Sequence, residues 1–137
     1  MNNQLTTHSY PENLDKSSWE FACEYFTKYI PHSLIVKVIE YIKKNNLQDT
    51  LIPGVTHYTL SIANKKSTKK NEVILVDSMD DERLKLKRNK DEKYMKMSDY
   101  SIRYYSPFVT LSEYVSMDEF EEKDLEAVLQ KYLKMII

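Results

Sequence analysis

Two stretches near the start of the chain carry apolar residues at helical spacing. The first comprises Trp19, Ala22, Cys23, Phe26 and Ile30, and the second comprises Leu34, Ile35, Val38, Ile39 and Ile42. Apolar residues three or four positions apart share one face of a helix, so each stretch predicts an amphipathic helix. Ser17 and Glu20 have the spacing of a capping box, which predicts that the first helix is capped at Ser17. Pro31 cannot continue the first helix, and Asn45 and Asn46 are predicted to end the second.

From residue 50 onwards apolar and polar residues alternate, which indicates β-strands. Residues 51–54 contain Pro53 and Gly54 and are predicted to form a turn. The predicted strands cover residues 55–63, 72–77, 83–88 and 93–105, and Pro107 is predicted to end the sheet. Short polar segments connect these runs, so an antiparallel meander of about four strands is the simplest arrangement.

The C-terminal segment predicts a third helix. Ser116 and Glu119 repeat the capping-box spacing, and a helical stripe follows at Leu125, Val128, Leu129, Tyr132, Leu133 and Ile136. This stripe is expected to pack on a sheet that includes residues 73–76 together with Leu84 and Leu86. The sequence therefore predicts an α+β fold with two N-terminal helices, an antiparallel sheet of about four strands and one C-terminal helix packed on the sheet. Residues 1–137 form a single domain in this interpretation, and residues 1–14 form a loose N-terminal arm.

The composition excludes several kinds of functional site. Gly54 is the single glycine, and P-loops, dinucleotide-binding turns and nucleophile elbows each need more than one. Cys23 is the single cysteine, so an internal disulfide and a four-cysteine zinc site are impossible; its place on the first helical stripe predicts a buried side chain. His8, His32 and His57 form no local metal-binding pair. No catalytic residue, cofactor or metal is therefore expected.

Charge and hydropathy indicate a cytoplasmic protein. The net charge of the 137 residues is -1, which argues against a protein dedicated to binding nucleic acid or an anionic membrane. The first ten residues are polar and lack the features of a signal peptide. The apolar runs are far shorter than the roughly 20 residues that span a bilayer, and a single cysteine suits a reducing compartment.

Charge and tyrosine content together predict a partner-binding surface. Residues 64–103 carry 12 basic and 8 acidic side chains, whereas residues 104–137 carry 3 basic and 7 acidic ones. Eleven residues are tyrosine, and exposed tyrosines are common at protein interfaces; the alternative is that they are core residues. Adjacent residues in an extended segment point to opposite faces, so at least one of Tyr104 and Tyr105 is expected to point outward. The predicted partner-binding residues are Tyr104, Tyr105, Glu113, Tyr114, Asp118, Glu119, Glu121 and Glu122.

One segment leads into the acidic C-terminal region; it consists of Tyr104, Tyr105, Ser106, Pro107 and Phe108. With this segment, its small size, its lack of catalytic motifs and its α+β meander, the chain resembles the small immunity proteins of bacterial toxin systems. These include the immunity partners of contact-dependent growth inhibition and of related polymorphic toxins. The resemblance concerns the general character of the chain and transfers no individual site residue. It implies that the protein binds a cognate toxin domain and covers its active site or a substrate-binding surface.

Two alternatives come from other functional classes. Chaperones of type III secretion are also small α+β proteins without enzymatic activity, and as dimers they hold extended segments of effector proteins. They tend to be more acidic than this chain, and a helix divides their strands, which the sequence does not predict here. The other alternative is a small phage or plasmid enzyme whose site is assembled from distant residues. The absence of catalytic motifs makes it the weaker of the two.

Overall fold

The computed structural model describes residues 10–66, 72–78, 98–106 and 114–137. Within these ranges the α-helices are α1 (Trp19–Glu24), α2 (Ser33–Lys44) and α3 (Leu125–Ile136). A π-helical turn, Tyr25–Tyr29, continues α1, and a 3-10 turn, Glu122–Asp124, precedes α3. The strands are β1 (Leu51–Thr56), β2 (Thr59–Asn64), β3 (Val73–Ser78), β4 (Tyr100–Tyr105) and β5 (Ser116–Phe120).

The described strands form one antiparallel sheet in the order β1-β2-β3-β4-β5. Each strand pairs with the next one along the chain, as expected for a meander. The predicted α+β class is confirmed, with five described strands where about four were predicted. The predicted strand at residues 72–77 corresponds to β3, and the stretch at residues 93–105 ends in β4. The predicted strand at residues 83–88, with Leu84 and Leu86, and the predicted sheet end at Pro107 lie outside the described residues.

The two faces of the sheet differ in composition because side chains alternate along each strand. The inner face packs against the helices and carries the fully buried residues Leu60, Ile62, Ile74, Val76 and Ile102. We call the opposite side the outer face; its described members include Thr59, Asp77, Ser101, Arg103, Met117 and Glu119. Because the helices lie on the inner face, the outer face is the side of the sheet that can present polar groups to a partner.

The C-terminal helix packs on the inner face as predicted. Leu129 and Tyr132 are fully buried, and Leu125, Leu133 and Ile136 are also buried in the same core as the strands. Val128, the remaining residue of the predicted stripe, is partly buried against that core. The helical spacing of the stripe is sufficient to predict this element because every third or fourth residue faces the sheet.

The predicted turn at residues 51–54 is wrong, and the predicted strand at residues 55–63 is divided. Residues 51–56 form β1, and a two-residue turn at His57 and Tyr58 leads into β2. His57 has a φ of 51°, a left-handed conformation for which the sequence offers no glycine. In the described sheet β1 is an edge strand, where a proline such as Pro53 is tolerated.

The predicted start of the C-terminal helix at Ser116 is also wrong. Residues 116–120 form β5, whose backbone pairs with β4 from Tyr104 to Tyr100. Phe120 is buried and stacks on Tyr100 with ring centroids 5.0 Å apart. Pairing with β4 and burial of Phe120 favour the extended conformation, whereas the capping-box spacing carries only a local preference. The helix begins at Leu125 instead.

The N-terminal helix begins one residue later than predicted. Its cap is Ser18, whose side-chain oxygen accepts a hydrogen bond from the backbone N–H of Phe21 at 3.0 Å. The hydroxyl of Ser17 donates to Asp15 at 2.8 Å instead. Cys23, predicted to be buried, is only partly buried at the margin of the core.

The last residues of the predicted N-terminal arm are packed against the core. Tyr10 and Leu14 pack against the core. The ring of Tyr10 meets the rings of Phe21 and Tyr29 edge-on, with centroids 5.5 and 5.0 Å apart. Residues 10–14 are therefore held against the helices, and residues 1–9 lie outside the described residues.

Candidate functional site

A cavity of about 530 Å³ opens on the outer face, where the β1–β2 turn meets the ends of β3 and β5 and the start of β4. We call it the outer-face cavity. The described residues that line it include Thr59, Asp77, Ser101, Arg103, Tyr114, Met117 and Glu119, and His57 lies beside them in the turn. Ligand sites in proteins commonly have volumes of roughly 300–1,000 Å³. The cavity therefore has room for one or two side chains of a partner.

The strand register explains how the cavity arises. Ser101 on β4 lies opposite Asp77 on β3 and opposite Glu119 on β5. Neighbouring strands are about 4.8 Å apart, so the Cα atoms of the two acidic residues are separated by about 10 Å. Ser101 lies between them and is smaller than either neighbour. A small side chain between two longer ones leaves a depression in the sheet surface.

Arg103 occupies the next position on the same face and forms a hydrogen-bonded network. Its Nη2 donates to Oδ2 of Asp77 at 2.9 Å, and its Nη1 donates to the hydroxyl of Tyr105 at 3.2 Å. The hydroxyl of Thr59 donates to the other oxygen of Asp77. The side chains of Arg103 and Asp77 are 29% and 34% exposed, so the ion pair is accessible from the cavity. Both oxygens of Asp77 are thus engaged within the sheet.

Glu119 differs from Asp77 in that its carboxylate is exposed. Within the described part of the chain its carboxylate forms no hydrogen bond or ion pair. The charges of Asp77 and Arg103 balance, so among the described charged residues that line the outer-face cavity Glu119 supplies the unbalanced negative charge. A cation that enters the cavity can therefore pair with Glu119 without breaking the ion pair of Arg103.

Exposed apolar side chains lie beside this charge. Tyr114 is 48% exposed, Val115 is 56% exposed and Met117 is 41% exposed. Tyr105 is buried, and its ring meets the ring of Tyr114 at right angles with centroids 6.4 Å apart. The buried ring of Tyr105 therefore packs against the ring of Tyr114, which is about half exposed to solvent.

The structure places the two adjacent tyrosines on opposite faces, as predicted. The expectation that at least one of them points outward is wrong, because Tyr105 is buried and Tyr104 is partly buried. Tyr105 lies on the outer face, and Tyr104 lies on the inner face opposite Ile74. The hydroxyl of Tyr104 donates to Oε2 of Glu72 at 3.0 Å. Burial raises the pKa of Tyr104, and the hydrogen bond to Glu72 raises the pKa further. Tyr104 is therefore partly buried against the core, away from the outer-face cavity.

Asp118, another predicted binding residue, faces the helices and links β5 to α3. Its Oδ2 accepts hydrogen bonds from Nζ of Lys131 at 2.9 Å and from the hydroxyl of Tyr132 at 2.7 Å. These two bonds, that of Lys131 first, lower the pKa of Asp118. Burial, reinforced by Asp118, raises the pKa of Tyr132 to about 12 although the hydroxyl also contacts Ser116. This network holds the C-terminal helix on the sheet.

Replacement of Asp118 by asparagine is expected to destabilise the fold by about 1 kcal/mol at pH 7, the contribution of one hydrogen bond to a half-exposed charge. The pKa of Asp118 is lower in the folded state than in the unfolded state. Its contribution is therefore present above the unfolded pKa and is lost as the pH falls through the folded pKa. Urea melts at pH 7 and pH 3 measure this, with the exposed Glu40→Gln variant as control. An equal loss of stability in Asp118→Asn at both pH values would contradict this assignment.

The remaining predicted residues lie elsewhere. The carboxylate of Glu122 pairs with Lys37 of α2, and its backbone N–H donates to Asp99 at 3.0 Å. A hydrogen bond between the carboxyl groups of Glu121 and Asp99 raises the pKa of Glu121. Glu113 lies outside the described residues. Of the eight predicted residues, the structure brings Tyr105, Tyr114 and Glu119 together on the outer face.

Sequence reasoning missed five strand residues of this site: Thr59, Asp77, Ser101, Arg103 and Met117. They lie on four different strands and meet only through the register, which local patterns do not give. One signal was present in the sequence: Arg103 alternates with the buried Ile102 and therefore lies on the opposite face.

Three searches for known functional features gave negative results. Across the described ranges, no group of three or more His, Cys, Asp or Glu side chains is placed to hold a metal ion. The helices described there are too short or too polar for any of them to cross a membrane. Comparison with protein-family models, curated proteins and solved structures finds no match to this chain.

Proposed function

We propose that this protein binds a bacterial toxin domain and neutralises it, and that the outer face is its binding surface. The observation that carries the proposal is the grouping of exposed apolar side chains. Of the five exposed large hydrophobic residues in the described ranges, Tyr114, Val115 and Met117 lie within four positions of one another. Exposed apolar clusters on soluble proteins often mark interaction sites.

The composition of this surface suits a protein partner. Tyr114 offers a rigid aromatic ring, and such rings are frequent among the residues that dominate binding energy. Met117 is flexible and polarisable, so it adapts to the shape of a partner. Arg103 and Asp77 already form an ion pair. A partner that covers them therefore buries paired charges rather than isolated ones, which is far less costly.

The ion pair of Asp77 and Arg103 also suits a binding surface better than a catalytic pair. A general acid or base must be within hydrogen-bond reach of a substrate and have a suitable pKa. Asp77 is instead engaged by Arg103 and Thr59, and Arg103 is held by Asp77 and Tyr105. These hydrogen bonds hold the side chains in place on the sheet surface. A protein that binds its partner through complementary shape and charge needs no acid or base catalyst.

The proposal is tested by co-expression with the product of the neighbouring gene, which the proposal expects to contain the toxin domain. Cells that produce the toxin with this protein are expected to survive, and the two proteins are expected to elute together on size exclusion as a complex. Failure of the wild-type protein to protect these cells would contradict the proposal. Dimerisation together with binding of an unfolded effector segment would favour the chaperone instead.

A further inference from the structure

We infer that the outer-face cavity receives an arginine side chain of the partner, whose guanidinium pairs with Glu119 and stacks on Tyr114. The inference rests on the proposed function and specifies the chemistry that the binding surface recognises. It depends on the juxtaposition of an unpaired carboxylate, an exposed aromatic ring and a depression over Ser101.

The charge of the cavity favours a cation. Among the lining residues that the structure describes, Asp77 and Glu119 are acidic and Arg103 is basic. Because Arg103 is paired with Asp77, the attraction for a guest arises from Glu119. A partner carboxylate would meet repulsion from Glu119, and the charge of Arg103 is already balanced by Asp77. A neutral guest would leave Glu119 buried without a partner, which is costly.

The shape and lining of the cavity favour arginine over lysine. A guanidinium is planar, so it can lie against an aromatic ring while its edge pairs with a carboxylate. Tyr114 is 48% exposed and supplies the ring, and Glu119 supplies the carboxylate. An ammonium ion is more strongly hydrated and cannot donate two parallel hydrogen bonds to one carboxylate. The volume of about 530 Å³ accommodates the whole side chain.

The inference is tested with capped arginine, N-acetyl-arginine amide, added to the full-length protein and followed by ¹H–¹⁵N NMR. The amide signals of Ser101, Met117 and Glu119 are expected to shift with millimolar affinity. Capped citrulline, which has the same shape without the charge, is the matched ligand and is expected to bind more weakly. Equal binding of the two ligands, or shifts confined to residues outside the cavity, would overturn the inference.

Two variants separate the role of Glu119 from a general charge effect. Glu119→Gln is expected to weaken binding of capped arginine about threefold to fivefold, the usual effect of a partly exposed ion pair. Glu126→Gln removes an equal charge from the exposed side of α3 and is expected to leave binding unchanged. An equal loss in both variants, or no loss in Glu119→Gln, would overturn the inference.

The toxin complex distinguishes this inference from the proposed function. In the toxin complex the partner arginine and Glu119 are both removed from water, and loss of one member of a buried charge pair is costly. Glu119→Gln is therefore expected to weaken toxin binding by about 30-fold. If Glu119→Gln binds the toxin as tightly as the wild type does, the arginine site is refuted while the proposed function stands. If the wild-type protein does not bind the toxin, the proposed function fails whatever the result with capped arginine.

Discussion

The Leu129→Ala variant is expected to lose about 2–5 kcal/mol of unfolding free energy. Leu129 is fully buried at the centre of the α3 stripe and belongs to the core that includes the inner face of the sheet. Truncation to alanine removes apolar contact and leaves a cavity that the surrounding side chains fill only in part. Chemical denaturation followed by circular dichroism measures the effect.

The neighbouring Gln130→Ala variant is the control, since Gln130 lies on the same helix and is exposed. Its stability is expected to stay within about 0.5 kcal/mol of the wild type. A loss below about 0.5 kcal/mol in Leu129→Ala would contradict the packing of α3 on the sheet.

The combined Tyr114→Ala and Met117→Ala variant is expected to shorten the lifetime of the toxin complex by about 30-fold or more. Truncation of side chains at the centre of an interface commonly costs 2 kcal/mol or more, and this loss is expressed mainly in the dissociation rate. Both residues are exposed in the free protein, so the melting temperature of the variant is expected to change little. Surface plasmon resonance on the immobilised toxin domain gives the dissociation rate.

Ile137→Ala provides the matched control, because Ile137 is 59% exposed and lies at the far end of α3. Its complex is expected to dissociate at the wild-type rate. If the combined variant dissociates no faster than Ile137→Ala does, the interface lies on another surface.

The helices could be predicted because their information is local. In α2 and α3 every buried residue has another buried residue three or four positions away, and the sequence displays this period directly. The helix ends were less predictable, since Ser17 and Ser18 are both suitable caps. Only the contacts of Asp15 and Phe21 decide between them.

The strands were harder to delimit because their pairing is not local. The alternation at residues 55–63 continues across the β1–β2 turn, and the left-handed conformation of His57 is not signalled by a glycine. Residues 116–120 contain an adequate capping box but no regular alternation of apolar and polar residues. Their pairing with β4 makes them a strand rather than the start of a helix.

The candidate site could be predicted only in part, for the same physical reason. The tyrosine content and the acidic residues in the last third of the chain predicted Tyr114 and Glu119 as partner-binding residues. Nothing local indicates that Glu119 lies two strands away from Asp77, with Ser101 between them. The functional surface of a sheet is set by the register, which the tertiary fold determines.

The most direct test of the outer face as the binding surface is to block it with a bulky group. In a Cys23→Ser background, Met117→Cys and Gln130→Cys can each be modified with a maleimide that carries a polyethylene glycol chain. Both positions are exposed, the first on the outer face and the second on α3. The affinity of each modified protein for the toxin domain is then measured. Modification at residue 117 is expected to abolish binding while modification at residue 130 leaves it unchanged; full binding after modification at residue 117 would contradict the account.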